Sequence, residues 1–162
     1  MKKIIVIGCP GSGKSTFALA LHERTGIPLY HLDMMFWNAD KTTVEKSVFL
    51  ERLSRVLETD AFIIDGNYAS TMEKRLIAAD TVFFLDYPTD LCLDGVRERR
   101  GKKRPDMPWI ETEEDAEFIE FIKEFQQNTR PEILSLLDKY REKSIIVFKS
   151  REESNIFIKR RI

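Results

Sequence analysis

Ile4-Ile5-Val6-Ile7-Gly8-Cys9-Pro10-Gly11-Ser12-Gly13-Lys14-Ser15-Thr16 is the stretch on which the reading of this chain turns. Four β-branched residues read as a buried strand. Gly8 to Ser15 then meets G-x-x-x-x-G-K-[ST] in full, and a helical pattern follows. Three glycines let such a loop turn until successive N–H groups face inward as an anion nest. The helix starting near Lys14 aims its positive dipole end at the same place. Lys14 is expected on the β- and γ-phosphates of ATP and Ser15 on the accompanying Mg²⁺ ion. Gly8, Pro10, Gly11, Ser12, Gly13, Lys14, Ser15 and Thr16 form the expected nucleotide-binding loop. A glycine-rich turn that binds nothing is the alternative, and the agreement of motif and flanks favours phosphate.

At 162 residues and 43% hydrophobic content, the chain is long enough for one good core and short for two, so a single domain over 1–162 is expected. No apolar stretch approaches the span of a bilayer, and Met1-Lys2-Lys3 leads into a strand rather than a signal peptide. A cytoplasmic protein is expected. Cys9 and Cys92 lack metal-ligand or C-x-x-C spacing, which suits a reducing compartment. His22 and His31 are too few and too isolated to suggest zinc. A net charge of −1 gives no general attraction to nucleic acid or membrane.

Outward from the loop, strands and helices alternate, the pattern of a parallel sheet covered on both faces. A helix over Lys14 to Thr25 stops at Gly26, and Ile27 to Leu32 reads as a second strand ending at Asp33. Thr42 and Glu45 are placed as a capping box for a helix through Leu57. Ala61 to Ile64 is the third strand, and Ser70 with Glu73 is placed to cap a helix through Ala79. Thr81 to Leu85 is the fourth strand and Thr89 to Arg100 a helix. A polar loop to Thr112, two helices parted near Pro131, and a fifth strand over Ile145 to Phe148 follow. Ser150 and Glu153 cap the last helix.

Ligands of open α/β sheets bind beyond the carboxyl ends of the strands. Asp65, after Ile63-Ile64, has the form of a Walker B aspartate that holds Mg²⁺ directly or through water. Asp33 is placed to take a proton from an acceptor hydroxyl or to orient the acceptor. Loop caps are the alternative for both. Arg97 to Arg104 carries six cations. A solvated helix end would explain some of them, but the density fits a lid, about 101–112, whose arginines close over transferring phosphate. Lys14, Asp33, Arg97, Arg100 and Arg104 are therefore the candidate catalytic residues.

The loop Gly8 to Thr16, Leu29-Tyr30-His31-Leu32-Asp33, Ile63-Ile64-Asp65-Gly66-Asn67-Tyr68, Phe84-Leu85-Asp86-Tyr87-Pro88, Gly101 to Trp109, and Phe148-Lys149-Ser150-Arg151-Glu152-Glu153 together resemble the DNA topology modulation (FlaR-related) family of adenylate kinase-like P-loop kinases. The resemblance spans nearly the whole chain. It implies a five-stranded parallel sheet of order 2-3-1-4-5, ATP at the loop, a lid after the fourth strand, and an adenine pocket built partly by Lys149 and Ser150. Adenylate kinases follow the third strand with Asp-Gly-Phe-Pro-Arg, whose arginine grips the acceptor's phosphate. Here Asp65-Gly66-Asn67-Tyr68-Ala69 stands instead, with no cation before Lys74 and Arg75, and none between Asp33 and Asp40. An acceptor without a phosphate would not need that grip, and Phe36, Trp37, Tyr68 and Trp109 are candidates to stack on its ring. An ATP-dependent phosphotransferase acting on a nucleoside, nucleotide or other small hydroxyl compound is the favoured reading. A nucleotide-gated binding protein and a nucleic-acid-associated protein are the alternatives, and an even charge balance outside the lid disfavours the last.

Overall fold

A computed structural model describes all residues 1–162. Strand β1 (Lys3–Gly8) lies at the centre of the sheet, and its residues Ile4 to Ile7 are completely buried. A continuous apolar run suits a strand covered on both faces, whereas a half-exposed strand would alternate. β1 pairs in parallel with β3 (Phe62–Asp65) and β4 (Thr81–Leu85); β2 (Leu29–His31) adds to β3 and β5 (Ser144–Phe148) to β4, giving the order 2-3-1-4-5. The order implied by the resemblance is the one observed.

The register brings strand ends into one row: Val6 stands beside Asp65, His31 beside Asp65, and Gly8 beside Leu85. Helix α1 (Lys14–Thr25) leaves the loop and packs Phe17, Ala18 and Leu21 onto the sheet. Phe17 meets Phe83 and Phe148 with ring centroids 5.0 and 5.5 Å apart, and Phe157 of the last helix joins them. These edge contacts give the aromatic core a fixed geometry as well as buried area.

Three elements differ from expectation. The second strand ends at His31, and a short helix α2 (Leu32–Phe36) takes Asp33 into its first turn. Helix α3 (Lys46–Leu57) starts at Glu45 without the Thr42 cap, because Thr42 instead hydrogen-bonds Asp40 and Asn38 in a tight turn closed by a Trp37–Thr43 bridge. Helix α4 (Ala69–Ala78) likewise lacks the Ser70 cap; Glu73 points away to Lys139 and Tyr140. Polar side chains engaged by other partners do not cap. Helices α5 (Thr89–Arg99), α6 (Ala116–Asn128) and α7 (Arg130–Lys139) follow, with Pro131 in the first turn of α7. In α8 (Arg151–Arg161) the expected cap forms: Ser150 Oγ accepts the Glu153 N–H at 3.2 Å, and Glu153 accepts the Lys149 N–H at 2.6 Å. No helix is long and apolar enough to cross a membrane.

Candidate active site

The glycine-rich loop is held open from three sides. Gly11 and Gly13 sit at φ of 83° and 94°, conformations that cost a side-chain-bearing residue heavily. α5 crosses against the loop so closely that a Cβ on Gly11 would stand 2.0 Å from the Cys92 carbonyl oxygen, and one on Gly95 2.0 Å from that of Gly11. Gly95 is thus needed by the loop although it lies far outside the motif. Asn67 clamps the strand end: its Oδ1 accepts the Gly8 N–H at 3.1 Å and its Nδ2 donates to the Gly8 carbonyl at 2.5 Å.

Within the loop, the Ser12 hydroxyl is buried and has no partner. A lone buried hydroxyl is costly, and a phosphate oxygen would satisfy it, so this loop fits the anion its sequence implies. Lys14 Nζ donates only to the Cys9 carbonyl at 3.3 Å. Burial pulls its ammonium below the usual lysine range, and the charge of Arg99 pulls it further. Cys9 meets Cys92, and that hydrogen bond together with burial holds its thiol well above its ordinary value. A protonated, buried thiol is no nucleophile.

At the ends of β2 and β3, His31 Nδ1 lies 2.6 Å from Asp65 Oδ2. Burial lowers the His31 imidazole, but the hydrogen bond and charge of Asp65 outweigh it and hold the pKa above its ordinary value. Asp33 accepts a hydrogen bond from the Tyr68 hydroxyl, and burial raises its carboxyl above the usual range. Tyr68 takes φ of 36°, a left-handed conformation for a bulky residue, and strain of this kind persists where the surroundings over-determine it. The over-determining group is Arg75, which is completely buried. Its guanidinium donates to the carbonyls of Gly66 (3.0 Å), Asn67 and Tyr68 (3.1 Å), and to Thr71 Oγ1 (3.2 Å). The first arginine after β3 is therefore a brace for the 66–68 turn, buried away from the cleft.

The basic run splits in two. Arg97 and Arg100 lie on the outer side, 3.9 and 3.5 Å from Glu114. Arg99 and Arg104 line the cleft. Arg104 pairs with Glu111 at 3.0 Å and with Asp106 at 3.5 Å. Arg99 stands 3.8 Å from Glu111, but its Nε is buried without a partner; burial, then the charge of Arg104, hold its guanidinium below its usual range. Of the three lid arginines singled out in the sequence, the cleft thus contains Arg104, and it adds Arg99. Helical phase carried that signal: α5 buries Cys92 and Val96, and Arg99 falls on the same face. Asp106, buried at 6% exposure, and Asn67 are further cleft residues that sequence reasoning passed over.

These groups enclose one cleft of about 1150 Å³ that reaches from Pro10 to Thr16 past Asp33, Asp65 and Tyr68 to the loop from Lys102 to Asp106. Pockets that take a single drug-sized ligand run to about 1,000 Å³, so the space admits a nucleotide with a small second ligand beside it. Gly8 lies behind this wall, held by Asn67. Lys149 and Ser150 also lie outside it. Lys149 reaches Asp86, which Arg130 grips at 2.9 Å, and Ser150 caps α8; Arg151 and Asn155, further along α8, line the cleft instead. Phe36, Trp37 and Trp109 do not face it either. They pack into one another, with Trp37–Trp109 at 5.3 Å and Phe36–Tyr68 at 5.3 Å, tying the loop after α5 to the element that carries Asp33. No three His, Cys, Asp or Glu side chains converge to hold a metal by themselves. Ser15 and Asp65 both line the cleft, and such a sparse donor set fits Mg²⁺, which keeps several waters and shares substrate phosphates.

Among solved structures, the chain is similar to shikimate kinase from Bacteroides thetaiotaomicron, with TM-score 0.55 and 20% identity over 97% of this chain and 94% of that one. It is also similar to a gluconokinase from Sinorhizobium meliloti 1021, with TM-score 0.60 and 15% identity over 98% of this chain and 87% of that one. At these identities the likeness establishes the P-loop kinase fold. No family model and no curated protein matches the chain, so the resemblance to the DNA topology modulation proteins rests on its motifs alone.

Proposed function

We propose that the chain is an ATP-dependent phosphotransferase acting on a small hydroxyl-bearing acceptor, built as one catalytic domain over 1–162 and working in the cytoplasm. The observation that carries this reading is the convergence, in one cleft, of an unsatisfied phosphate loop with a half-buried carboxylate, Asp33, oriented by Tyr68.

Lys14 and the loop N–H groups hold the β- and γ-phosphates. Ser15 and Asp65 would hold Mg²⁺, which supplies charge neutralisation across the phosphates. Because Tyr68 occupies Asp33 Oδ1, Oδ2 remains for the acceptor hydroxyl. Asp33 takes that proton as the acceptor oxygen bonds to the γ-phosphorus and the bond to the β–γ bridging oxygen breaks, releasing ADP. Burial has raised the Asp33 pKa, which makes its carboxylate a better base than an exposed one. Arg99 and Arg104 supply positive charge where the transferring group becomes most negative. The test pairs two variants. Lys14→Ala is expected to lose Mg·ATP binding, whereas Asp33→Asn is expected to keep it and to slow ADP release in the presence of acceptor by about 10²-fold or more. Binding unchanged in the first variant, or turnover unchanged in the second, contradicts the assignment.

A further inference from the structure

Asp33 and Asp65 both line the cleft, and a single neighbour holds each of them at one oxygen. Asp33 Oδ1 accepts from the Tyr68 hydroxyl. Asp65 Oδ2 lies 2.6 Å from His31 Nδ1, and because an ionised carboxylate only accepts, the hydrogen of that bond sits on the ring. The sheet sets this pair. His31 and Asp65 stand side by side at the last positions of β2 and β3, in a register continued by Tyr30 with Ile64 and Leu29 with Ile63. Side chains at one register position leave the sheet on the same face. Asp65 lines the cleft and His31 does not, so the imidazole, 11% exposed, reaches the carboxylate from behind the wall. Asp65 Oδ1 has no hydrogen-bond partner in the chain and, unlike Ser12 Oγ, is not sealed off. It is the oxygen that the carboxylate offers to the cleft.

We infer that His31 is a positioning residue for the divalent cation: by holding Asp65 Oδ2 it fixes the carboxylate with Oδ1 turned into the cleft that Ser15 also lines. This rests on the phosphotransferase reading, in which Ser15 and Asp65 meet Mg²⁺. The need for such a hold follows from the scarcity of donors. No three His, Cys, Asp or Glu side chains converge here, so the ion depends on one carboxylate. A carboxylate free to rotate spreads its oxygens over several rotamers and must be ordered at each binding event. A donor fixed on the adjacent strand removes that freedom beforehand. Groups hydrogen-bonded behind metal ligands act in this way, and losing one costs about 10–100-fold in metal affinity.

Mn²⁺ is the probe, titrated into the protein·AMP-PNP complex and followed by loss of the free ion's electron paramagnetic resonance signal. His31→Gln, whose amide falls where Nε2 was and misses Asp65, is expected to raise the apparent Kd for Mn²⁺ by about 10-fold or more. AMP-PNP binding measured by calorimetry in EDTA should stay within about twofold of wild type, since the hold acts on the metal and not on the loop. His31→Asn, whose amide falls where Nδ1 was, is expected to keep Mn²⁺ affinity within about threefold of wild type. Asp65→Ala weakens Mn²⁺ binding by itself, and adding His31→Gln to it should cost less than about a further twofold, because no carboxylate is left to orient. Unchanged Mn²⁺ affinity in His31→Gln overturns the inference, as does a loss that adds fully to that of Asp65→Ala. So does a His31→Asn variant as weak as His31→Gln, or an equal loss of AMP-PNP binding in EDTA, which would mark His31 as merely structural. Wild type that takes up no AMP-PNP with or without metal would instead remove the phosphotransferase reading itself, so the two failures are told apart.

Discussion

Replacing Arg75 by Met removes one buried guanidinium and tests whether the turn carrying Asn67 and Tyr68 is braced as described. The Tyr68 carbonyl keeps a partner, since it also accepts the Thr71 N–H at 2.9 Å. The carbonyls of Gly66 and Asn67 are left without the donor they now have. Each orphaned buried acceptor costs about 1–3 kcal/mol, so the gross loss is about 2–6 kcal/mol. Against this stands the cost of burying a charge that has no carboxylate partner, which the variant recovers in part. The net expectation is a loss of about 2–3 kcal/mol, which for a domain of this size lowers Tm by about 4–12 °C. Thermal unfolding followed by circular dichroism reads it directly. Arg75→Lys should recover little, because a single ammonium cannot serve three carbonyls at fixed angles. A Tm within about 1 °C of wild type for the Met variant, or full recovery by Lys, would refute the brace.

The lid divides by the same geometry: Arg99→Ala and Arg104→Ala should lower kcat by about 10-fold or more, while Arg97→Ala and Arg100→Ala, whose side chains face Glu114, should change it less than about twofold. Comparable losses at all four positions would sink that division. For His31, whose folded pKa is raised above its ordinary 6.5, the stabilising pair with Asp65 is complete below about pH 6.5 and is lost as pH climbs through the folded value. The stability advantage of wild type over His31→Gln should therefore shrink between pH 6 and pH 9 in urea titrations; an advantage that grows with pH contradicts the pairing. Trp37 and Trp109 are the only tryptophans, and they touch each other across the lid. Trp109→Phe should abolish any change in emission that Mg·AMP-PNP produces, and a change that persists would place the moving contact elsewhere.

Much of this fold is legible from local rules. A β-branched run before a glycine loop, apolar strands ending in aspartate, and Ser150 with Glu153 at a helix start all carry their structure within a few residues. Misplacements arise where a competing partner wins. Thr42 turns to Asp40 and Asn38, and Glu73 to Lys139 and Tyr140, so neither becomes a cap. The site divides the same way. Lys14, Asp33 and Asp65 are marked by their places after strands, but the inward choice of Arg99 over Arg97 and Arg100 depends on the phase of α5 against the loop. Asn67 holds Gly8 from 59 residues away and Arg75 reaches back 7 to 9 residues to the carbonyls of 66–68, contacts that no local pattern records.

The central claim is that this cleft moves the γ-phosphate of ATP to an organic hydroxyl. Incubation of the protein with Mg²⁺ and ATP labelled with ³²P at the γ position, in the presence of a panel of nucleosides, amino sugars and polyols, measures that transfer by separating labelled organic product from labelled inorganic phosphate. Label is expected on an organic acceptor with wild type and is expected to fall to background with Lys14→Ala. Label found only as inorganic phosphate, or transferred equally well by Lys14→Ala, would contradict the claim.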